Sequence, residues 1–323
     1  MKKIFSTLIF VFFAAAASFG KSSKTVFSFS LEPQLSLSYE KHGEYLLYDS
    51  KEPISYLDWQ AFPIIRPGIK TDFSINDFIT EIELAVGIPM DCGTMYDSDW
   101  NAAGVKTVYS ENDVNLISDF STSLKLYYDF KLGIFDILPS VQLQYDTKSF
   151  KAHDGHGWYG ISDYSKTGKD VSWDDDNAKY YPHIGGYSTY TLQNFYTFLG
   201  CYGKVTLTPA MTLGVGTYVS PYTYNYTKDN HYKKSGKLSK YAYANQNIIF
   251  YRFKEEITFS IRLLKDLELN SEVSAILGGK AYGTYNYYAL HPFFDDEYYL
   301  ADCGTSASDI YTVSAKLGVR KYF

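Results

Sequence analysis

The sequence predicts an all-β protein, a ten-stranded antiparallel transmembrane β-barrel with long extracellular loops. Three observations carry that reading. The chain holds 33 Tyr and 22 Phe among 323 residues, yet its mean hydropathy is only −0.23. Strands that show lipid an apolar row and the lumen a polar row average to such mild values, and tyrosine suits the membrane–water boundary. Hydropathy also alternates with period two over long segments, most clearly at the C-terminus. There Tyr311, Val313, Ala315, Leu317, Val319 and Phe323 share one parity, and Thr312, Ser314, Lys316, Gly318 and Arg320 the other. Finally, the chain opens on an export signal, in which Lys2 and Lys3 precede an apolar run from Ile4 to Ala17.

Residues 1–20 read as a signal peptide, cleaved after Ala15–Ala17 or Ser18–Gly20, and residues 21–323 as one barrel domain. The apolar run is shorter than the roughly 20 residues that a spanning helix needs. Strands are expected at 26–47, 54–72, 77–90, 112–130, 137–152, 188–207, 211–227, 245–263, 266–288 and 308–323. Short connections fall near Ser74–Asn76, Lys131–Gly133, Thr208–Ala210 and Leu264–Asp266, and long ones at 91–111, 153–187, 228–244 and 289–307. An even strand count with short turns at one rim and long loops at the other places the chain in the bacterial outer membrane, long loops outside. In the fourth strand, Val114, Leu116, Phe120, Leu124, Leu126 and Tyr128 are expected to face lipid. Asn115, Asp119, Ser121, Ser123 and Lys125 are expected to face the lumen. The final strand, ending on Phe323, resembles the assembly signal of outer-membrane proteins; a soluble β-sandwich would show the same alternation without the export signal.

Removing residues 1–20 takes away Lys2 and Lys3 and no acid, so the net charge moves from −6 to −8, which argues against a nucleic-acid partner. Of the three cysteines, Cys92 and Cys303 fall in expected long loops and form the candidate disulfide, whereas Cys201 reads as a strand residue. No Cys/His spacing suggests zinc, and Asp174–Asp176 lacks the spaced ligands of a calcium loop, so no metal is expected.

Two polar clusters carry chemistry. Asp97 and Asp99 alternate in Tyr96-Asp97-Ser98-Asp99-Trp100, and Asp229 and His231 alternate in Asp229-Asn230-His231-Tyr232. That spacing aims each pair to one side of an extended strand. Two carboxylates facing an Asp–His pair across a wet cleft are suited to holding and activating water, which is hydrolytic chemistry. Parity raises a difficulty: the apolar row of the seventh strand is odd-numbered (Met211, Leu213, Val215), and so are Asp229 and His231. The pair faces inward only if a bulge or kink intervenes, and Pro221 is the expected place.

Met95-Tyr96-Asp97-Ser98-Asp99-Trp100 resembles the Met-x-Asp-x-Asp-Trp signature of the omptin family of outer-membrane proteases. Asp229-Asn230-His231-Tyr232 is similar to that family's Asp-x-His-Tyr, and Ser55-Tyr56-Leu57-Asp58-Trp59 to its Ser-x-Leu-Asp-Trp, in the expected order. The resemblance spans essentially the mature chain. It implies an endopeptidase acting on extracellular peptides or proteins, with Asp97, Asp99, Asp229 and His231 catalytic. A neutral His231 takes a proton from water, Asp229 fixes its tautomer, and Asp97 and Asp99 hold the water from the opposite side. Glu44 and Thr227 are the implied substrate-binding positions. Glu44 matches an acid that favours cleavage near basic residues, whereas Thr227, with Lys228 beside it, stands where a second acid is frequent. The resemblance implies no cofactor, although lipopolysaccharide is an activator of many members; Lys148 and Lys151 are the candidate contacts on the outer wall. Lys233-Lys234-Ser235-Gly236-Lys237 is an expected site of self-cleavage. The alternatives are a non-enzymatic barrel, either an adhesin or a narrow pore, and a lipid-modifying enzyme with a Ser–His centre at His153 or His156.

Overall fold

The computed structural model describes residues 27–48, 52–233, 237–248, 252–291 and 297–323. The expected signal peptide and Lys234-Ser235-Gly236 lie outside these residues. Thirteen strands are present among them: β1 (Phe27–Tyr48), β2 (Glu52–Ile75), β3 (Phe78–Val86), β4 (Met90–Trp100), β5 (Lys106–Tyr128), β6 (Phe130–Leu132), β7 (Phe135–Tyr159), β8 (Lys179–Thr208), β9 (Met211–Tyr232), β10 (Leu238–Ile248), β11 (Arg252–Leu264), β12 (Leu267–Leu290) and β13 (Tyr298–Tyr322). All pairings are antiparallel. β3 and β4 share one place in the ring, between β2 and β5; β10 and β11 share another, between β9 and β12. With β6 a short spur on β7, the ring has ten places. It closes between β1 and β13, from Ser30↔Tyr322 to Leu47↔Thr305. Closure leaves no open edge, as lipid requires.

The four short turns lie where the sequence places them, and two use residues suited to left-handed backbone: Asn76 (φ 56°) and Gly133 (φ 72°). At the other rim the strands run further than expected. The wall continues through β4 to Trp100, β8 begins at Lys179, and β13 at Tyr298, so both acidic clusters lie within strands rather than beyond them. Above the lipid both barrel faces carry polar and aromatic residues, so alternation loses contrast while backbone pairing continues. Leu35, Leu37, Ile69, Phe73, Phe120, Leu124, Val215, Ile257, Val273 and Leu317 are exposed on the outer wall as an apolar belt. Lys41, paired with Asp58 at 3.2 Å, marks the upper limit of this belt on β1 and β2; the membrane-spanning segments lie below it.

The lower lumen is filled by ion pairs, among them Arg66 with Glu40 and Asp119, Lys125 with Glu256, Lys316 with Glu83, and Arg320 with Glu32. Above them, Trp59, Met95, Val114, Leu116, Phe150, Tyr190 and Leu192 form an apolar floor across the barrel. Val114 and Leu116 thus face inward, not lipid. A register shift between Leu116 and Ser118, against β7, inserts one residue and exchanges the faces; below it Phe120 and Leu124 point out and Asp119 and Lys125 point in, as expected. Lys148 lies inside the barrel on Glu40 and not on the outer wall where it was expected; Lys151 is exposed. The cysteines are free. Cys92 is buried in the apolar floor and Cys201 and Cys303 are exposed, so the candidate Cys92–Cys303 bridge is absent.

Candidate active site

On β9, Tyr218 and Ser220 point into the barrel, and so do Thr223, Asn225, Thr227 and Asp229. Parity changes between the two groups because Leu199 faces Val219 while Thr197 faces Tyr222, so Ser220 and Pro221 stand opposite the single residue Phe198. This is the bulge that parity demanded at Pro221. Hydrogen bonds to the Tyr222 carbonyl from Thr197 Oγ1 (2.9 Å) and Ser220 Oγ (2.8 Å) hold it. The bulge turns Asp229 and His231 into the cleft.

His231 Nε2 lies 2.5 Å from Asp229 Oδ2, and Ser188 Oγ donates to Asp229 Oδ1 at 2.9 Å. Burial pushes the Asp229 carboxyl up, but His231, Ser188 and Lys240 outweigh it and hold it below the usual range. Across the barrel, Asp97 and Asp99 on β4 pair with Leu57 and Ser55 of β2 and point inward with the buried Leu57 and Met95. Burial raises Asp97 well above the ordinary aspartate range, and the charges of Asp99 and Asp229 add to the effect. Burial also raises Asp99, against a hydrogen bond from Ser55 and the charges of Lys240 and His231. One of the two carboxyls therefore keeps its proton where an isolated aspartate has lost it. Asp97 Oδ1 is buried and has no hydrogen-bond partner among the described residues. The four residues share one field, since Asp97 feels Asp229 and Asp99 feels His231.

Below them Glu44 is buried on β1, its Oε2 accepting hydrogen bonds from Tyr190 (2.9 Å) and Thr227. Burial holds its carboxyl up to about 7, helped by Asp229 and opposed by the hydrogen bonds of Thr227 and Tyr190. Lys228 is not beside Thr227 in the cleft; it lies against Tyr241 and Tyr243 (5.6 and 5.2 Å to the ring centroids). Sequence reasoning missed Ser188, Tyr190 and Lys240. Each stands opposite a cleft residue in the ladder, in the pairs Ser188↔His231, Tyr190↔Asp229 and Lys240↔His231, which only the strand register reveals. The ring nitrogens of His153 are taken by Asp154 (2.9 Å) and Asn115 (2.7 Å), which leaves none for a serine. Among the described residues, no group of three or more His, Cys, Asp or Glu is placed to hold a metal ion.

No family model and no curated protein matches the chain. Among solved structures it is similar to the outer-membrane protease OmpT from Escherichia coli, with a TM-score of 0.76 at 15% identity, over 93% of this chain and 99% of that one. The likeness shows the fold, that of an outer-membrane β-barrel. Neisserial surface protein A (TM-score 0.31, 10% identity, 92% of this chain and 99% of that one) is similar at a level that carries no argument. The same holds for Ail of Yersinia pestis (0.28, 6%, 91% and 99%). At 15% identity the OmpT likeness bears on the fold alone; the site rests on the geometry above.

Proposed function

We propose that this chain is an outer-membrane endopeptidase that hydrolyses extracellular peptides or proteins with water activated by Asp229 and His231. The observation that carries this reading is the Asp229–His231 hydrogen bond facing the unpartnered Asp97 Oδ1. Asp229 holds Nε2 of the ring, which leaves Nδ1 for the water. Asp97 accepts a hydrogen bond from the same water, and His231 removes its proton as the oxygen adds to the peptide carbonyl. Collapse expels the amine, which takes the proton from His231. No cofactor enters the chemistry. In the pocket below, a basic side chain would meet Glu44 alone, since Thr227 adds a hydroxyl and no charge.

A narrow pore is disfavoured because the apolar floor and the ion pairs occupy the lumen. An adhesin remains the contrast, and peptide cleavage separates the two. The test is digestion of a mixed peptide library by refolded protein, with and without lipopolysaccharide, beside His231→Ala. Cleavage lost in the variant supports the proposal; no cleavage by folded wild type under either condition defeats it.

A further inference from the structure

Asp97, Asp99 and Asp229 line the cleft, and a carbonyl oxygen gaining negative charge among them needs a cation. Lys240, on β10, stands directly opposite His231 in the β9–β10 ladder. Residues directly opposed in a ladder share a face, so Lys240 projects into the cleft with His231. Its Nζ lies 5.8 Å from the centroid of the Tyr287 ring. Its charge acts on Asp97, Asp99 and Asp229 together, so it reaches both halves of the site. Neither of two nearby lysines spans both halves of the site: of the four candidate residues, Lys106 feels the charge of Asp97 alone. Lys228 lies on Tyr241 and Tyr243, and Lys106 on Tyr109, Trp173 and Trp100.

We infer that Lys240 donates a hydrogen bond to the carbonyl oxygen of the scissile peptide and carries the charge that builds there as water adds. The inference rests on the hydrolytic reading above. The water oxygen bonds to the carbonyl carbon, and its proton passes to His231. The π pair moves onto the oxygen facing the Lys240 ammonium. On collapse that pair re-forms the carbonyl, the C–N bond breaks, and the proton on His231 goes to the leaving nitrogen. Lys240 keeps its proton throughout. A fixed donor aimed at a developing oxyanion contributes about 100-fold to 1,000-fold in kcat.

The test uses the full barrel and a peptide that the wild type cleaves, with Lys240→Met, Lys240→Arg and His231→Ala. Assembly is checked by the mobility difference between folded and heated protein. Lys240→Met is expected to lower kcat by about 100-fold to 1,000-fold at every pH, with KM within about threefold. Lys240→Arg, which keeps the charge, is expected to retain more of the rate. A lysine that merely tuned the carboxylates would shift the limbs of the pH profile and leave its plateau intact, and that result overturns the inference. A loss confined to KM, or none at all, also overturns it while leaving the hydrolytic reading standing. A wild type that cleaves nothing overturns both. Should Lys240→Met fail to assemble, Lys240→Gln is held to the same criteria.

Discussion

Asp229 and His231 project from alternate positions of β9, and their side chains meet at 2.5 Å between Oδ2 and Nε2. A carboxylate on one ring nitrogen fixes the tautomer and stabilises the imidazolium that forms. An amide of the same shape does neither. Asp229→Asn is therefore expected to lower kcat by about 1,000-fold to 10,000-fold while the barrel assembles normally. Single-turnover rates on a cleaved peptide check this. A variant within tenfold of wild type would remove Asp229 from the proposed chemistry.

On the proposed function, Glu44 is expected to give the cleft a pH-dependent preference. Its carboxyl is held up to about 7 by burial, so it is neutral below that range and ionised above it. Only the ionised form attracts a cationic side chain. Between about pH 6 and 8, kcat/KM for a peptide offering Arg or Lys should rise relative to a matched neutral peptide, by roughly tenfold. Glu44→Gln should flatten that ratio. The same shift has a stability consequence of opposite sign: the folded pKa is raised, so Glu44 weakens the folded state as pH climbs from its ordinary 4.5 through about 7. A pH-independent ratio in the wild type would exclude Glu44 from the substrate pocket.

The bulge at Ser220–Pro221 sets which way the upper half of β9 faces. Deleting Pro221 would leave one residue on each strand, Phe198 and Ser220, between the pairs Thr197↔Tyr222 and Leu199↔Val219 and keep Asp229 and His231 inward. Deleting Tyr226, above the bulge, would turn both outward, since a one-residue shift exchanges the faces of a strand. The first deletion is expected to stay within about tenfold of wild-type activity, and the second to fall to the level of His231→Ala. Equal loss in both assembled variants would show that parity is not what the bulge controls.

Parity also explains how far the sequence could be read. The alternation, the four short turns and the order of the clusters were legible, and the conflict in parity between Met211 and Asp229 marks the bulge between them. Period two separates two faces without saying which is inside. Val114 and Leu116 looked lipid-facing because the sequence shows nothing of the extra residue at Ile117–Ser118. Lys148 looked external for a similar reason, since a lysine within a strand reads as solvated until Glu40 is placed beside it. The strand ends were misjudged because the wall continues above the lipid, which put Cys92 into a loop and hid the buried place it takes beside Met95. Lys240 was invisible because its significance is a ladder pairing with His231, 9 residues away in sequence but adjacent only once β9 and β10 are in register.

The lower lumen predicts where stability resides. Arg66 Nη2 meets Glu40 Oε1 at 2.5 Å, Nη1 donates to Ser38 Oγ at 2.6 Å, and Nε donates to Asp119 Oδ2. All four residues are buried. Lys148 also bonds to Glu40, so loss of Arg66 still leaves Glu40 a cation. Asp119 also feels the charge of Lys148, but Arg66 makes its ion pair and hydrogen bond, and its Oδ1 is without a hydrogen-bond partner among the described residues. Arg66→Met should therefore destabilise the barrel, by less than the ~3–5 kcal/mol of a wholly uncompensated buried charge because Lys148 still faces both carboxylates. Adding Asp119→Leu should recover much of the loss, because a buried ion pair replaced whole by apolar groups is often neutral. Urea or heat unfolding, followed by the mobility change on electrophoresis, measures both steps. If Arg66→Met alone unfolds at the wild-type midpoint, the ion pairs fill the lumen without stabilising it, and the apolar floor above them carries the barrel's resistance to unfolding.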